Sequence, residues 1–241
     1  MSKSISIDVI YSDDDLVIAN KPAGITVIPE RNHPERDTVQ TLLEKHFGRL
    51  WVVHRIDKFT SGVLCFARNE AAHRHLSLQF QNHDVQKTYT AVVQGRLNEP
   101  EGVIDAPIAE SQTKPGTMLI HARGKSAISI YKVQQQFRHA AVVSIEIKTG
   151  RTHQIRVHMA YIGHPLLVDE VYGKTEAFYF STIKRNYKPS GEEERPTITR
   201  LTLHAASLKL THPVSHTPLL AEAPLPKDLD TLIKLLSKYD S

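Results

Sequence analysis

Between residues 6 and 24 the chain alternates short apolar runs with turns. "SIDVIYSDDDLVIANKPAG" predicts two strands around an acidic turn, closed by a second turn at Pro22 and Gly24. "DTVQTLLEKHFG" changes period. Val39, Leu42, Leu43 and Phe47 form a helical stripe, with Asp37 as the expected N-cap and Gly48 at the C-cap. "VVHRIDKFTSGVLCFARN" reads as strand, turn, strand, with the turn at Thr60, Ser61 and Gly62. "NEAAHRHLSLQFQNHDV" predicts a second helix, capped by Asn69 and buried through Leu76 and Phe80. "KTYTAVVQGRL", "KSAISIYKV" and "AAVVSIEIKTG" predict strands, the last two alternating at period two. "TGRTHQIRVHMAYIGHP" predicts a helix capped by Thr152, with Ile155, Met159 and Ile162 on one face and Gly163 and Pro165 as its stop. "LTLHAASLKLTHP" returns to strand character, and "DLDTLIKLLSKY" predicts a closing amphipathic helix. Residues 174–200 show no period, carry many charges and contain two prolines, and are expected to form a charged surface excursion. No internal repeat or linker interrupts the pattern, so one domain over residues 1–241 is expected.

Composition narrows the class. The chain has 241 residues, 40% of them hydrophobic, and a single cysteine, Cys65. A disulfide framework is therefore excluded, and no run of about 18 apolar residues offers a membrane span. The first residues lack the apolar stretch of a signal peptide, so a cytoplasmic protein is expected. There are 30 Lys and Arg against 26 Asp and Glu, with a sequence pI near 9.1. That balance suits a nucleic-acid partner if the cations cluster, and it also suits an ordinary enzyme.

Several chemistries fail on spacing. The pairs His73/His75 and His212/His216 have no second pair or cysteines at zinc-ligand distance, so no metal is expected. No glycine-rich phosphate loop is present, and "HRID" has one residue too many for a kinase catalytic loop. Ser61 lacks a nucleophile elbow, which leaves Thr60 and Ser61 as turn-makers whose hydroxyls hold the loop near Asp57. Arg151 and Arg156 fall near a predicted helix N-terminus, where free N–H groups favour anions. They make either an anion site or a solvated basic face. Lys87 and Tyr89 share one face of a predicted strand, where a tyrosine commonly packs into a core or an interface.

The order of these blocks is more specific than any of them. "NKPAG", "HRIDKFTSGVLCFARN", "KTYTAVVQG", "GRTHQIRVHMAYIGHPLLVDEVYG" and "LHAASLKLTHP" followed by "APLP" closely resemble the RluA family of RNA pseudouridine synthases, from about Ile7 to Pro226. The resemblance implies an α+β fold: a mixed, largely antiparallel β-sheet flanked by helices and loops, with a central catalytic cleft. It implies an isomerase that converts uridines of structured RNA, ribosomal or transfer, to pseudouridine without cofactor or metal. Asp57 maps onto the essential aspartate, Tyr89 onto the tyrosine that contacts the uracil, and Arg156 onto the arginine that pairs with the aspartate. Arg55 maps onto an arginine that holds the opened RNA, and His54, Lys87 and Arg151 are the further candidates for RNA binding.

Two departures are visible. Val168 stands where many members have glycine, with Asp169 and Tyr172 retained, so a local packing difference is expected. The catalytic blocks begin almost at Met1, so no separate N-terminal RNA-binding domain is expected and selectivity falls to the catalytic domain, including residues 174–200. No obligate protein partner is inferred. The alternative is a non-catalytic RNA-binding or RNA-folding protein on the same fold, and the joint presence of Asp57, Tyr89 and Arg156 favours the enzyme.

Overall fold

The computed structural model describes residues 6–30, 33–184, 186–189, 191 and 193–241. In chain order the elements begin with β1 (Asp8–Ser12), β2 (Leu16–Lys21), α1 (Val39–Phe47), β3 (Trp51–Val52), β4 (Ser61–Ala67) and α2 (Glu70–Gln81). Six strands follow, and after them one helix and one 3₁₀ turn. They are β5 (Gln86–Gln94), β6 (Glu101–Asp105), β7 (Ile108–Glu110), β8 (Met118–Ile120), β9 (Ile128–Gln136) and β10 (Ala140–Ile147), then α3 (Gln154–Tyr161) and the 3₁₀ turn Phe180–Thr182. The chain closes with β11 (Leu203–Thr211), β12 (Pro218–Glu222) and α4 (Lys227–Tyr239). Among the described residues no helix is long and apolar enough to cross a membrane.

The chain divides into two compact units. The first comprises Met1–Lys87 and His204–Pro224. Its strands run in the order β1-β2-β4-β11, with β12 beside β11 and β3 beside β4. All these pairs are antiparallel except β4 with β11. Both faces of this sheet are covered, which explains the unbroken apolar runs of β2 and β4. Leu16, Ile18, Val63 and Cys65 pack against Ala72 and Leu76 of α2 on one face. Val17, Ala19, Leu64 and Phe66 pack against Val39 and Leu43 of α1 on the other. Each such leucine contributes about 1.5–3 kcal/mol by leaving water. A side chain on Gly62 would run into the backbone of Ala205, so the parallel approach of β4 to β11 requires glycine there.

The second unit comprises Thr88–Leu203 and Leu225–Ser241, with strand order β5-β10-β9-β6 and a separate β7-β8 hairpin. Leu229, Leu232 and Leu236 of α4 pack on Val92, Phe137, Val142, Leu167 and Val168. Val168, the departure from glycine, is thus a core residue of this unit. Residues 174–200 contribute Phe178 and Ile198 to the same cluster through a short bridge, so the charged excursion is pinned at both ends by apolar contacts. Arg185, Ser190 and Glu192 of that segment lie outside the described residues.

Two caps differ from the sequence expectation. Helix α1 is capped by Thr38, whose hydroxyl accepts from Thr41 N while Thr41 Oγ1 accepts from Thr38 N, and this reciprocal box displaces Asp37 by one position. Helix α3 is entered at His153, which is left-handed (φ 55°), with no side-chain cap from Thr152. Gln154 instead braces the segment before the helix: its Oε1 accepts from Arg151 N and Thr149 Oγ1, and its Nε2 donates to Ile128 O. Asn69 caps α2 and Gly48 ends α1, both as the sequence predicts.

Candidate active site

In the first unit the "HRIDKFTSG" segment crosses from β3 to β4 as an ordered turn. Thr60 N donates to Asp57 O (3.1 Å), which sets Asp57 at the head of the turn, half-buried. The turn is clamped to the "NKPAG" loop by Lys21. This lysine has no exposed surface, and its ammonium donates to Pro22 O (3.0 Å), Ile25 O (2.8 Å) and Lys58 O (2.8 Å). A buried ammonium is costly unless its donors are satisfied, and these three carbonyls satisfy them. Gly24 N also donates to Lys58 O. The sequence flagged "NKPAG" but assigned Lys21 no role.

The two turn hydroxyls behave differently. Ser61 Oγ lies 2.9 Å from His204 Nδ1, and His204 Nε2 lies 3.2 Å from Ala223 O. A carbonyl only accepts, so Nε2 carries the proton and Ser61 donates to Nδ1. Both residues are buried, and the pair ties the start of β4 to β11. Thr60 Oγ1 has no hydrogen-bond partner among the described residues, so only Ser61 holds the loop as expected.

His54 and Lys87 come together, but in the interior. The His54 ring stacks on Phe80 (4.5 Å), and its Nε2 accepts the Cys65 backbone N–H (3.0 Å). The residue is half-buried, with its ring enclosed between Phe80 and β4. Burial, with the nearby Lys87 ammonium, pushes the imidazole down to about 3. Lys87 is itself buried, 5.9 Å from the Phe80 ring, and desolvation pulls its ammonium below the usual lysine range. His54 is therefore neutral, with its ring against Phe80 rather than presented as a cation. Arg55, its neighbour, is exposed.

His54 also predicts a pH effect. Its folded pKa lies below the unfolded value, so the unfolded chain binds more protons between about pH 3 and 6.5, and stability rises with pH across that window. The contribution is complete above the ordinary histidine range and erodes on acidification. Melting temperature is expected to fall between about pH 7 and pH 5, and to fall less in His54→Gln. Equal slopes in both proteins would remove His54 as the source.

The second unit carries Tyr89, Arg151 and Arg156. Tyr89 is 9% exposed on β5, where Ala91 is buried and Thr88 and Thr90 are half-buried. Arg151 is half-buried, and its Nε donates to Ser126 O (2.9 Å). Arg156 is 6% exposed and forms a bidentate pair with Asp169: Nε to Oδ2 at 2.7 Å, Nη2 to Oδ1 at 2.9 Å. Asp169 Oδ1 also accepts from Val171 N and Tyr172 N. The guanidinium lies 4.8 Å from the centre of the Tyr172 ring, and Tyr172 Oη meets His153 Nδ1 (2.8 Å) and Met118 N (2.9 Å). Arg156 thus sits in a preset cluster inside its unit. Asp169 as its partner was not readable from spacing.

Asp13, Asp15 and His212 gather potential ligand atoms within 4.8 Å of one another. Asp13 already caps its own turn, accepting from Asp15 N, Leu16 N, Tyr11 Oη and His212 Nε2. Burial pushes this carboxyl up, and the hydrogen bonds outweigh it, holding it at about 2.

A model of the RNA pseudouridylate synthase family matches residues 15–161, more than half of the chain. The Blochmanniella floridana protein named ribosomal large subunit pseudouridine synthase D is 36% identical, over 98% of this chain and 75% of its own length. The Escherichia coli K12 protein of the same name is 34% identical, over 97% of this chain and 72% of its own. The chain belongs to the RluA family of RNA pseudouridine synthases. Its fold agrees: the solved structure of human RNA pseudouridylate synthase domain containing 1 matches along the whole of both chains, with a TM-score of 0.70 and 26% identity. The RluA-family resemblance of the motifs is thereby confirmed, as is the α+β fold with a mixed, mostly antiparallel sheet. The protein is an isomerase that acts on uridine in RNA.

Proposed function

We propose that this RluA-family member isomerises uridines of large-subunit ribosomal RNA, with Asp57 as the catalytic carboxylate. The observation that carries the substrate is the identity of 34–36%, over nearly the whole chain, to proteins named ribosomal large subunit pseudouridine synthase D. Support for Asp57 comes from its turn. A fully buried Lys21, a buried Ser61–His204 pair and Gly62 all fix the segment that presents one half-buried carboxylate. Catalytic groups gain from such fixed placement.

The reaction breaks the C1′–N1 bond, turns the base and joins C1′ to C5. The hydrogen on C5 is lost and N1 gains one, so atoms balance without oxidant, water or metal. Asp57 serves as nucleophile or base. Arg156, oriented by Asp169, supplies positive charge to the site, and Tyr89 meets the extruded uracil. Arg55 and Arg151 hold RNA phosphates. The whole chain acts as one catalytic domain, residues 174–200 add to RNA selection, and the setting is the cytoplasm.

The test offers the purified protein transcripts of large-subunit, small-subunit and transfer RNA. Pseudouridine is expected in the large-subunit transcript alone, and formation only in transfer RNA would overturn the substrate assignment.

Tyr89 separates stacking from chemistry. Tyr89→Phe is expected to keep RNA affinity, whereas Tyr89→Leu loses about 1–3 kcal/mol of base stacking. Single-turnover rates in Tyr89→Phe then report the hydroxyl. Normal turnover per folded molecule in both variants would place Tyr89 outside the reaction.

A further inference from the structure

Within residues 54–60 only Arg55 and Phe59 are exposed, and they flank Asp57 two residues to either side. Arg55 suits a phosphate. Phe59 has no polar atom, is 49% exposed, and lies on a turn that has little freedom. The backbone on either side of it is bound: Lys58 O accepts from Lys21 Nζ and Gly24 N, and Thr60 N donates to Asp57 O. Lys58 pairs with Glu30 (3.3 Å), and its Nζ lies 6.0 Å from the Phe59 ring. Thr60 and Ser61, which follow, are buried. A single exposed apolar side chain is ordinary on a surface. An aromatic face on a braced turn two residues from the proposed catalytic carboxylate, with the Lys58 ammonium beside it, has a specific use in an enzyme that unstacks a nucleotide.

We propose that Phe59 is a stacking platform for an unpaired base adjoining the target uridine. The inference rests on Asp57 as the catalytic residue. Extruding a uridine removes the stacking partner of its neighbours, and an aromatic ring restores that contact without reading a base edge. Recognition by this ring is sequence-tolerant, depends on the neighbour having a base at all, and favours purines for their larger face. Arg55 and Lys58 neutralise the phosphates that bracket that base.

The test uses short synthetic RNAs carrying the uridine mapped in the transcript experiment, with the natural neighbour or an abasic sugar on the 5′ or the 3′ side. KM and kcat are measured for wild type, Phe59→Ala, Phe59→Leu and Phe59→Tyr. Wild type is expected to show about a ten-fold higher KM when one particular neighbour is abasic. Phe59→Ala shows about that increase on intact RNA, with no further increase on that abasic RNA and kcat preserved. Phe59→Tyr restores the wild-type KM and Phe59→Leu does not. Unchanged KM in Phe59→Ala, or losses that simply add to those of the abasic sugar on both sides, overturns the platform. Failure of the Asp57 reading appears separately, as turnover by Asp57→Asn on the intact RNA.

Discussion

Asp57→Asn is expected to fold and bind RNA as wild type does, and to form no measurable pseudouridine. Asparagine keeps the size and leaves the backbone bond from Thr60 N to Asp57 O intact. The clamps on the turn, Lys21 to Lys58 O and Ser61 to His204, involve neither oxygen of the Asp57 carboxylate. What disappears is the anionic oxygen, the group proposed as nucleophile or base. Loss of a general base alone costs about 10²–10⁴-fold in rate, and loss of a nucleophile removes the pathway. Single-turnover assays on the mapped RNA, with a melting curve as the folding control, read both quantities. A rate near wild type in a folded variant contradicts the assignment.

Asp169→Asn is expected to show the largest stability effect. The amide retains an acceptor for Val171 N and Tyr172 N but removes the charge that Asp169 sets against the Arg156 guanidinium, at a position where both side chains are almost fully enclosed. Removing one partner of a buried pair costs about 3–5 kcal/mol, because the remaining charge stays desolvated. The double variant Asp169→Leu with Arg156→Met is expected to recover much of that loss, since an apolar pair of similar volume is often neutral. It is not expected to recover turnover, because Arg156 itself is then missing. Denaturant unfolding and single-turnover assays on the three proteins separate the two roles. Recovery of both stability and turnover in the double variant would confine Arg156 to the scaffold.

The legible parts of the fold were those with a strong local period. The stripes of α1, α2 and α4 and the apolar runs of β2 and β4 state their structure in the sequence. Strands β6, β7, β8 and β12 left no such trace. They are three to five residues long, bury at most one residue each, and exist because a partner strand lies beside them. The cap of α1 slipped by one residue because Asp37 and Thr38 both suit the position, and only the Thr38–Thr41 reciprocity decides between them.

For the proposed site, motif order singled out Asp57 and Arg156, but neighbours from distant parts of the chain set the surroundings of each residue. Lys21 reaches Lys58, and Arg156 reaches Asp169, through contacts that no spacing rule encodes. His54 looks like a cation in "HRID", and Phe80 and the β4 backbone make it neutral. The exposure of Phe59 is equally a tertiary property, since a lone phenylalanine in a polar turn can fold inward or stay at the surface.

The most direct measurement is a pseudouridine map of total RNA from cells lacking this gene, complemented with wild type or with Asp57→Asn. Specific positions in large-subunit ribosomal RNA are expected to lose pseudouridine in the deletion, to regain it with wild type and to remain uridine with Asp57→Asn. A map unchanged by the deletion, or restored by Asp57→Asn, contradicts the central claim.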